Sequence, residues 1–160
     1  MTNSVGKSPS LLARVAVIIP ALNEADNLAR LVPELRAMGV GQVIVGDNGS
    51  TDGSGAVAGA AGATVAPAPK RGYGEACQAA LTAVDADATI IAFLDADFAD
   101  DHHRLDELVG PIADDTCDLV IGARVKRLRK PGSMTAPQVF GNWLATRLIR
   151  WGWGYRYRDL

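Results

Sequence analysis

Short apolar runs alternate along the chain with segments in which apolar residues recur at helical spacing. The helical segments cover residues 28–38, 54–61, 75–84, 105–112 and 137–151. The apolar runs predict five strands, RVAVII (14–19), QVIVG (42–46), ATVAP (63–67), TIIAFLD (89–95) and DLVIGA (118–123). Because strands and helices alternate and the strands are apolar on both faces, we expect an α/β three-layer sandwich with a mostly parallel central sheet.

The ends of the first long helix follow from local signals. Asn23 is a favourable N-cap, and Asp26 follows three residues later, as in a capping box. Pro33 should kink this helix or start a new turn, and Gly39 should end it.

Three of the turns that follow predicted strands are rich in acids and amides. They are PALNEAD (20–26), GDNGSTD (46–52) and DADFADD (95–101), which follow the first, second and fourth strands. In open parallel sheets, ligands bind beyond the carboxyl ends of the strands, where the strand order reverses. We therefore expect these three turns to lie together and to form the binding site.

The third turn carries the most specific chemistry. Asp95 and Asp97 are two residues apart, so in extended backbone their side chains leave on the same face. Neighbouring carboxylates repel unless a cation compensates them, and Mg²⁺ or Mn²⁺ prefers such oxygen ligands together with phosphate oxygens. The pair therefore predicts a metal that holds a nucleotide diphosphate. Asp100 and Asp101 are expected to cap the helix that follows.

Composition limits the classes of function. The 160 residues suit one domain, and 48% hydrophobic with 21% charged residues indicates a folded, soluble chain. The net charge of −2 argues against a nucleic-acid partner. No apolar run approaches the ~20 residues that span a bilayer. The Ser-, Gly- and Pro-rich residues 1–13 predict a flexible tail, and two unrelated cysteines indicate reduced thiols in the cytoplasm.

Several motif-like stretches are rejected. VGKS (5–8) lacks the strand and first glycine of a phosphate-binding loop, and the Gly-x-Gly pairs at 53–55 and 72–74 lack the third glycine of a dinucleotide fingerprint. His102 and His103 are adjacent, so on a helix they point about 100° apart. We expect them to be solvated residues at a helix start and not to share a metal ion.

Five segments, taken in order, resemble the inverting family-2 glycosyltransferases, whose fold is called GT-A and is Rossmann-like. They are VAVIIPALNEADNL (15–28), VIVGDNGSTDGS (43–54), RGYGEACQAAL (71–81), IIAFLDADFADD (90–101) and DLVIGAR (118–124). The C-terminal stretch, with RK (129–130), Ser133 and GNWLATRL (141–148), is similar to the dolichyl- and polyprenyl-phosphate sugar synthase branch. The resemblance implies one GT-A domain over residues 14–160, with the C-terminal part of the family's domain missing.

The resemblance also implies roles for particular residues. The nucleotide-sugar site would comprise Pro20, Leu22, Glu24, Gly46, Asp47, Asn48, Asp95, Ala96 and Arg124. Asp95 and Asp97 would bind the metal, and Asp97 and Asp159 would be the catalytic residues, with Asp159 as a base or acceptor-positioning group.

Two departures from the family pattern affect specificity. Asn48 stands where many relatives have aspartate, which leaves the base, uracil or guanine, open. Phe98-Ala99 replaces the Leu-Gln that often follows the metal motif in relatives acting on lipid phosphate.

The implied activity is metal-dependent transfer of a hexose from a UDP- or GDP-linked sugar, with inversion. The expected acceptor is polyprenyl phosphate or another cell-envelope glycan or lipid. The alternatives are a non-catalytic nucleotide-sugar-binding module and a sugar nucleotidyltransferase. The basic run 124–130 and the Trp-rich helix leave open a peripheral contact with the inner face of the cell membrane, against a solvated loop and a helix that packs on protein.

Overall fold

A computed structural model of the chain describes residues 11–122 and the helix 136–153, with the side chains of 143–148 and 150–152 in that helix. Two 3₁₀ helices cover Leu11–Arg14 and His102–Arg104. The strands are β1 (Val15–Ala21), β2 (Gln42–Asp47), β3 (Thr64–Pro67) and β4 (Ile90–Phe93). The α-helices are α1 (Ala25–Ala37), α2 (Ser54–Ala60), α3 (Tyr73–Leu81), α4 (Leu105–Ala113) and α5 (Ala136–Trp153).

The four strands form one parallel sheet in the order β3-β2-β1-β4. In its centre, Ile18 pairs with Ile44 on one side and with Phe93 on the other. The chain moves outward from β1 to β3 and then returns to the opposite side of β1, so the strand order reverses between β1 and β4. This arrangement confirms the predicted α/β fold and places a switch point beside β1.

Helices cover both faces of the sheet. All seven residues of β1 are buried, and all but Pro20 alternate between two apolar clusters. The larger cluster joins Val15, Val17 and Ile19 to residues of α1, α2 and α4, and the smaller one joins Ala16 and Ile18 to Ala80 of α3. A strand buried on both sides needs apolar residues at every position, which explains its continuous apolar sequence.

The predicted fifth strand is wrong for the part of it that the structure describes. Residues 118–122 form no strand, and the side chains of Leu119 and Ile121 are 73% and 72% exposed. An apolar run matches the composition of a strand, but a strand also needs a hydrogen-bonded neighbour, and none of the four described strands pairs with this run.

The boundaries of α1 differ from the prediction at its start. Asn23 has a left-handed backbone (φ 58°), and the helix begins two residues later without a side-chain cap from its own N-cap residue, Glu24. The helix continues through Pro33, which has no N–H to donate to the carbonyl of Ala29, four residues earlier. Both residues are exposed, so water can satisfy this carbonyl. Gly39, at φ 86°, ends the helix as predicted.

Residues at the two ends of the chain also bear on the predictions. Leu12 is buried, so packed structure begins within the predicted tail, of which residues 1–10 lie outside the described residues. In α5 the Arg147 guanidinium lies 5.0 Å from the centre of the Trp143 ring, and Leu148 and Trp151 are exposed. None of the helices in the described parts of the chain is long and apolar enough to cross a membrane.

Candidate functional site

The three polar turns begin at neighbouring strands of the sheet. Ala21, at the end of β1, pairs with Asp47 at the end of β2, and β4 ends with Phe93 beside Ile18 of β1. The turns that follow therefore leave the same edge of the sheet, on both sides of the switch point. The sequence predicted this grouping, and the contacts between the turns define it further.

The first and second turns are joined through Ser54 and Asp52. The Ser54 side chain is fully buried, and its hydroxyl accepts a hydrogen bond from the Glu24 amide at 2.8 Å and donates one to Asp52 Oδ1. Asp52 Oδ2 accepts a bond of 3.0 Å from the amide of Ala25, the first residue of α1. Asp52 thus satisfies the start of α1 from a different turn, which is the role that the sequence assigned to Asn23.

These bonds also affect the charge of Asp52. The Ser54 hydroxyl, and after it the Ala25 amide, lower the pKa of the Asp52 carboxyl below its ordinary value of 3.8. Both donors stabilise the ionised form, so Asp52 is a permanent anion at neutral pH.

Asn23 forms a second connection between the same turns. Its side-chain Oδ1 accepts a hydrogen bond of 2.8 Å from the Thr51 amide, and its own amide donates to Ser50 Oγ at 3.0 Å. The left-handed backbone at Asn23 directs both groups towards the second turn. The two turns therefore form one hydrogen-bonded unit.

The second turn is also fixed from its other side. A Cβ on Gly46 would lie 2.2 Å from the Ala76 carbonyl oxygen, so only glycine allows α3 to approach β2 this closely. Asp47 Oδ1 accepts a bond of 2.9 Å from the Ser50 amide. Asn48 Oδ1 accepts a bond of 2.7 Å from the amide of Gly72, directly before α3. Asn48 therefore positions the start of α3.

The start of α3 reaches the third turn through Tyr73. Its hydroxyl donates a hydrogen bond to Asp95 Oδ1 at 3.2 Å. Burial, and after it the charge of Asp95, raises the pKa of Tyr73 to about 12, although 61% of this residue is exposed. Burial and then the same charge raise the pKa of the Cys77 thiol. The negative potential at Asp95 therefore extends over its neighbours.

Asp97 lies in a turn and not in extended backbone. Strand β4 ends at Phe93, and the chain turns at Ala96 and Asp97, so the argument that placed both carboxylates on one strand face is wrong. Asp97 is exposed, its Oδ1 accepts a bond of 2.9 Å from the Ala99 amide, and Phe98 has a left-handed backbone (φ 57°). The Asp97 carboxylate is held by its own turn.

The residues assigned from the sequence divide by exposure. Pro20, Gly46 and Ala96 are buried and can contribute only shape and backbone atoms. Leu22 and Asp97 are exposed, whereas the other four, Glu24, Asp47, Asn48 and Asp95, are partly buried. Arg124 and Asp159 lie outside the described residues, so their roles stay predictions.

Three residues that organise this edge were not assigned to the site from the sequence. Asp52 and Ser54 are separated by one residue, and the Asx turn that this spacing allows was a usable signal. Tyr73 gave no signal, because its partner Asp95 is 22 residues away in sequence. A contact of that range depends on how α3 packs on the sheet.

The donor set at the third turn fits a hard divalent cation. Asp95 and Asp97 each use Oδ1 in a hydrogen bond, and among residues 11–120 the Oδ2 atom of each has no hydrogen-bond or ion-pair partner. Two carboxylate oxygens beside solvent match the ligands that Mg²⁺ and Mn²⁺ combine with water and phosphate oxygens.

Comparisons with known sequences agree on one family. The family model for glycosyl transferase family 2 matches residues 16–158. Glycosyltransferase AglJ of Haloferax volcanii is 32% identical over 146 residues, which cover 91% of this chain and 47% of that protein. Glucosyl-3-phosphoglycerate synthase of Mycolicibacterium smegmatis is 36% identical over 137 residues, which cover 76% and 44%. The chain therefore spans about half the length of these relatives.

Solved structures give the same result. Glucosyl-3-phosphoglycerate synthase from Mycobacterium tuberculosis, in complex with Mn²⁺, UDP-glucose and phosphoglyceric acid, has a TM-score of 0.55 at 31% identity, over 64% of this chain and 42% of that one. Mannosyl-3-phosphoglycerate synthase from Rubrobacter xylanophilus has a TM-score of 0.56 at 27% identity, over 65% and 40%. Both matches support the GT-A-like fold.

Proposed function

The chain belongs to glycosyltransferase family 2, and on that premise we propose that it transfers a hexose from a nucleotide-diphosphate sugar to an acceptor, with inversion. One observation carries the proposal: hydrogen bonds connect all three polar turns at the switch point. They run from Glu24 to Ser54, from Asn48 to Gly72 and from Tyr73 to Asp95. A connected edge of this kind holds a ligand as long as a nucleotide sugar without rearranging.

The two ends of this edge suit the two ends of the donor. The first and second turns, with Leu22, Glu24, Asp47 and Asn48, would bind the nucleoside. The third turn, with Asp95 and Asp97, would hold Mg²⁺ or Mn²⁺, which would supply positive charge to the departing diphosphate. The glucosyl-3-phosphoglycerate synthase structure, which contains Mn²⁺ and UDP-glucose, supports a divalent metal with a UDP-linked donor and makes UDP-glucose the first donor to test.

The residues of this chain would then divide the work of the transfer. An acceptor oxygen bonds to the anomeric carbon while the bond to the diphosphate breaks on the opposite face. Arg124 would add positive charge at the diphosphate. Asp159 would take the proton of a hydroxyl acceptor, whereas an acceptor phosphate is already ionised and needs only positioning. Asp97 would act at the diphosphate through the bound ion.

Polyprenyl phosphate is the acceptor that we propose, on the similarity of the C-terminal stretch to the polyprenyl-phosphate branch. This acceptor would place the protein at the inner face of the cell membrane, in cell-envelope synthesis. Phosphoglycerate is a second candidate, because the two solved synthases carry it in their names. Polyprenyl phosphate would accept through its ionised phosphate and would need no base, whereas phosphoglycerate would accept through its hydroxyl, whose proton Asp159 would take.

The test is turnover by the full chain with Mn²⁺ and either UDP-glucose or GDP-mannose. Release of nucleoside diphosphate is measured without acceptor, with polyprenyl phosphate and with 3-phosphoglycerate, and the glycosylated product is identified by mass spectrometry. We expect release to depend on polyprenyl phosphate and to be lost in Asp95→Asn, but to persist in Asp100→Asn, which removes a nearby exposed charge. If only 3-phosphoglycerate is glycosylated, the proposed hexose transfer is correct but the proposed acceptor, polyprenyl phosphate, is wrong.

Both rival functions would leave the donor unconsumed in this assay, and a second assay with UTP and a sugar phosphate tells them apart. A binding module would bind the donor without consuming it under any of the three conditions. A sugar nucleotidyltransferase would instead release pyrophosphate from UTP and a sugar phosphate. Either result would overturn the proposed transfer.

A further inference from the structure

A second group of metal-ligating side chains lies outside the proposed donor site. Glu34 projects from α1, and His102 and His103 form the first two residues of the 3₁₀ helix before α4. Their ligand atoms all lie within 4.8 Å of one another. The donor set, two imidazoles and one carboxylate, differs from the all-oxygen set at Asp95 and Asp97.

The two histidines converge on one atom although they are adjacent in sequence. Glu34 Oε2 lies 2.7 Å from His102 Nε2 and 3.9 Å from His103 Nε2, and the two ring centres are 4.2 Å apart. The expectation that the two rings diverge is therefore wrong, and so is the expectation that His102 is solvated, whereas His103 is exposed at a helix start as predicted. The ring nitrogens lie well beyond the diverging Cβ atoms, so side-chain torsions bring them back together.

Neighbouring side chains hold this arrangement in place. His102 is only 6% exposed, and its ring packs edge-on against Phe98 at 5.6 Å. The same Phe98 ring also contacts Arg30, one helical turn before Glu34, whose guanidinium lies 4.8 Å from the ring centre. In the described part of the chain, the Glu34 carboxylate forms hydrogen bonds and ion pairs only with the two histidines. A buried histidine is thus fixed in position, with a more exposed histidine and carboxylate beside it.

We propose that Glu34, His102 and His103 bind a divalent transition-metal ion of the zinc class. Imidazole nitrogen with one carboxylate oxygen is a set that suits Zn²⁺ and leaves a fourth position for water. Tetrahedral Zn²⁺ with bonds of about 2.0–2.1 Å requires ligand atoms about 3.3 Å apart. The separations from Glu34 Oε2 to the two histidines, 2.7 and 3.9 Å, lie on either side of this value. All three ligand atoms lie within 4.8 Å of one another, so shifts of the side chains would complete the site.

Binding at this site has a defined structural consequence. The ion replaces the hydrogen bond between His102 and Glu34, and the proton held there passes to solvent. The bound ion would join α1, through Glu34, to the segment that follows the third turn, through His102. His102 in turn packs against Phe98, the residue directly after Asp97. The site does not depend on the proposed donor site, which uses different residues.

The experiment titrates ZnCl₂ into the full chain, free of any affinity tag, in excess Mg²⁺ and without nucleotide. We expect one Zn²⁺ per chain, with affinity reduced at least tenfold by either His103→Ala or Glu34→Gln. The His103 side chain is 66% exposed, so this variant should fold as the parent does, which circular dichroism checks. With Co²⁺ in place of Zn²⁺, the visible bands of a low-coordinate site should appear and should be lost in His103→Ala.

Control variants separate this site from other ligands in the chain. A Cys77→Ser/Cys117→Ser double variant should bind Zn²⁺ as the parent does, as should Asp97→Asn. The proposal is overturned if the parent chain does not bind Zn²⁺, if His103→Ala and Glu34→Gln bind it normally, or if the cysteine variant loses binding. In each of these cases the three side chains form a histidine–carboxylate contact only.

Discussion

The first two polar turns and the third are held in different ways. Ser54 is completely buried between the first two turns, and Asp52 uses both of its carboxylate oxygens to bind Ser54 and Ala25. In the third turn, Asp97 is exposed, and Asp95 is bound through one oxygen to a side chain that is itself 61% exposed. Aspartate carboxylates thus stabilise the turns in one region, whereas in the other they keep an oxygen available for a ligand.

This contrast suggests that some side chains at this edge of the sheet stabilise the fold and others bind the ligand. A carboxylate with both oxygens bonded to the protein stabilises the fold and has little capacity for a ligand. A carboxylate with a free oxygen at the surface contributes little to folding and can bind a cation. Substitutions of Asp52 or Ser54 should therefore change stability, and substitutions of Asp95 or Asp97 should change ligand binding.

The largest expected effect is that of Asp97→Asn on donor binding. Loss of a metal ligand should weaken Mn²⁺-dependent binding of UDP-glucose on the order of 100-fold, or about 2.7 kcal/mol. The melting temperature should hardly change, because Asp97 is exposed and bonds only to its own turn. Calorimetric titration and thermal unfolding measure the two quantities.

Asp100→Asn is the matched control, because it removes the same charge three residues later. It should leave donor affinity within about twofold, since exposed charges are screened. Equal losses in the two variants would mean that net charge, and not ligation, explains the effect.

The opposite pattern is expected for Ser54→Ala. This change leaves the partly buried Glu24 amide without its acceptor and removes the hydroxyl donor to Asp52, and should lower the free energy of unfolding by about 1–3 kcal/mol. Ser50→Ala removes a similar bond, to the Asn23 amide, at an exposed position and should cost about 0.5 kcal/mol. Urea unfolding measures both variants. Equal costs would remove the distinction between buried and exposed bonds in these turns.

Alkaline titration tests the link between Tyr73 and Asp95. The pKa of Tyr73 should be about 12, read as the phenolate absorbance difference between the parent and Tyr73→Phe. Because this pKa is raised in the folded state, its contribution to stability is complete below pH 10 and is lost between about pH 10 and 12. Asp95→Asn should lower the pKa, although burial should keep it above 10. An unchanged pKa in that variant would contradict the contact.

The smallest effect concerns Asp52 in acid. Its pKa is lowered by folding, so its contribution to stability is present above about 3.8 and is lost as the pH falls through the folded-state pKa. Since the Ser54 hydroxyl is the main cause, Ser54→Ala should raise the pKa of Asp52 towards 3.8. The carboxyl chemical shift of Asp52 in an NMR titration reports it. An Asp52 pKa unchanged by Ser54→Ala would contradict this assignment.

Much of the fold could be predicted from the sequence because buried strands and amphipathic helices have characteristic patterns. The four strands and the helices α1 to α4 were predicted, with boundaries shifted by a few residues. The strand predicted over 118–123 failed because pairing depends on distant partners. Asn23 was assigned as a cap because its residue type fits, but Asp52 from another turn occupies that role.

The location of the site could be predicted, but its internal contacts could not. The expected parallel sheet and the composition of three turns were enough to group Glu24, Asp47 and Asp95 at one edge. The contacts of Tyr73 with Asp95 and of His102 with Glu34 join residues 22 and 68 positions apart, which no local pattern encodes. His102 is buried against Phe98, and the side-chain torsions bring its ring back beside that of His103, so the rule for adjacent residues on a helix gave the wrong answer.

The most direct test of the central claim is calorimetric titration of UDP-glucose into the unaltered chain, once with Mn²⁺ and once with EDTA. If Asp95 and Asp97 hold the diphosphate through a metal ion, the donor should bind with Mn²⁺ and should lose on the order of 100-fold in affinity with EDTA. Equal binding under the two conditions, with UDP-glucose and with a GDP-linked sugar alike, would contradict the metal role of the third turn.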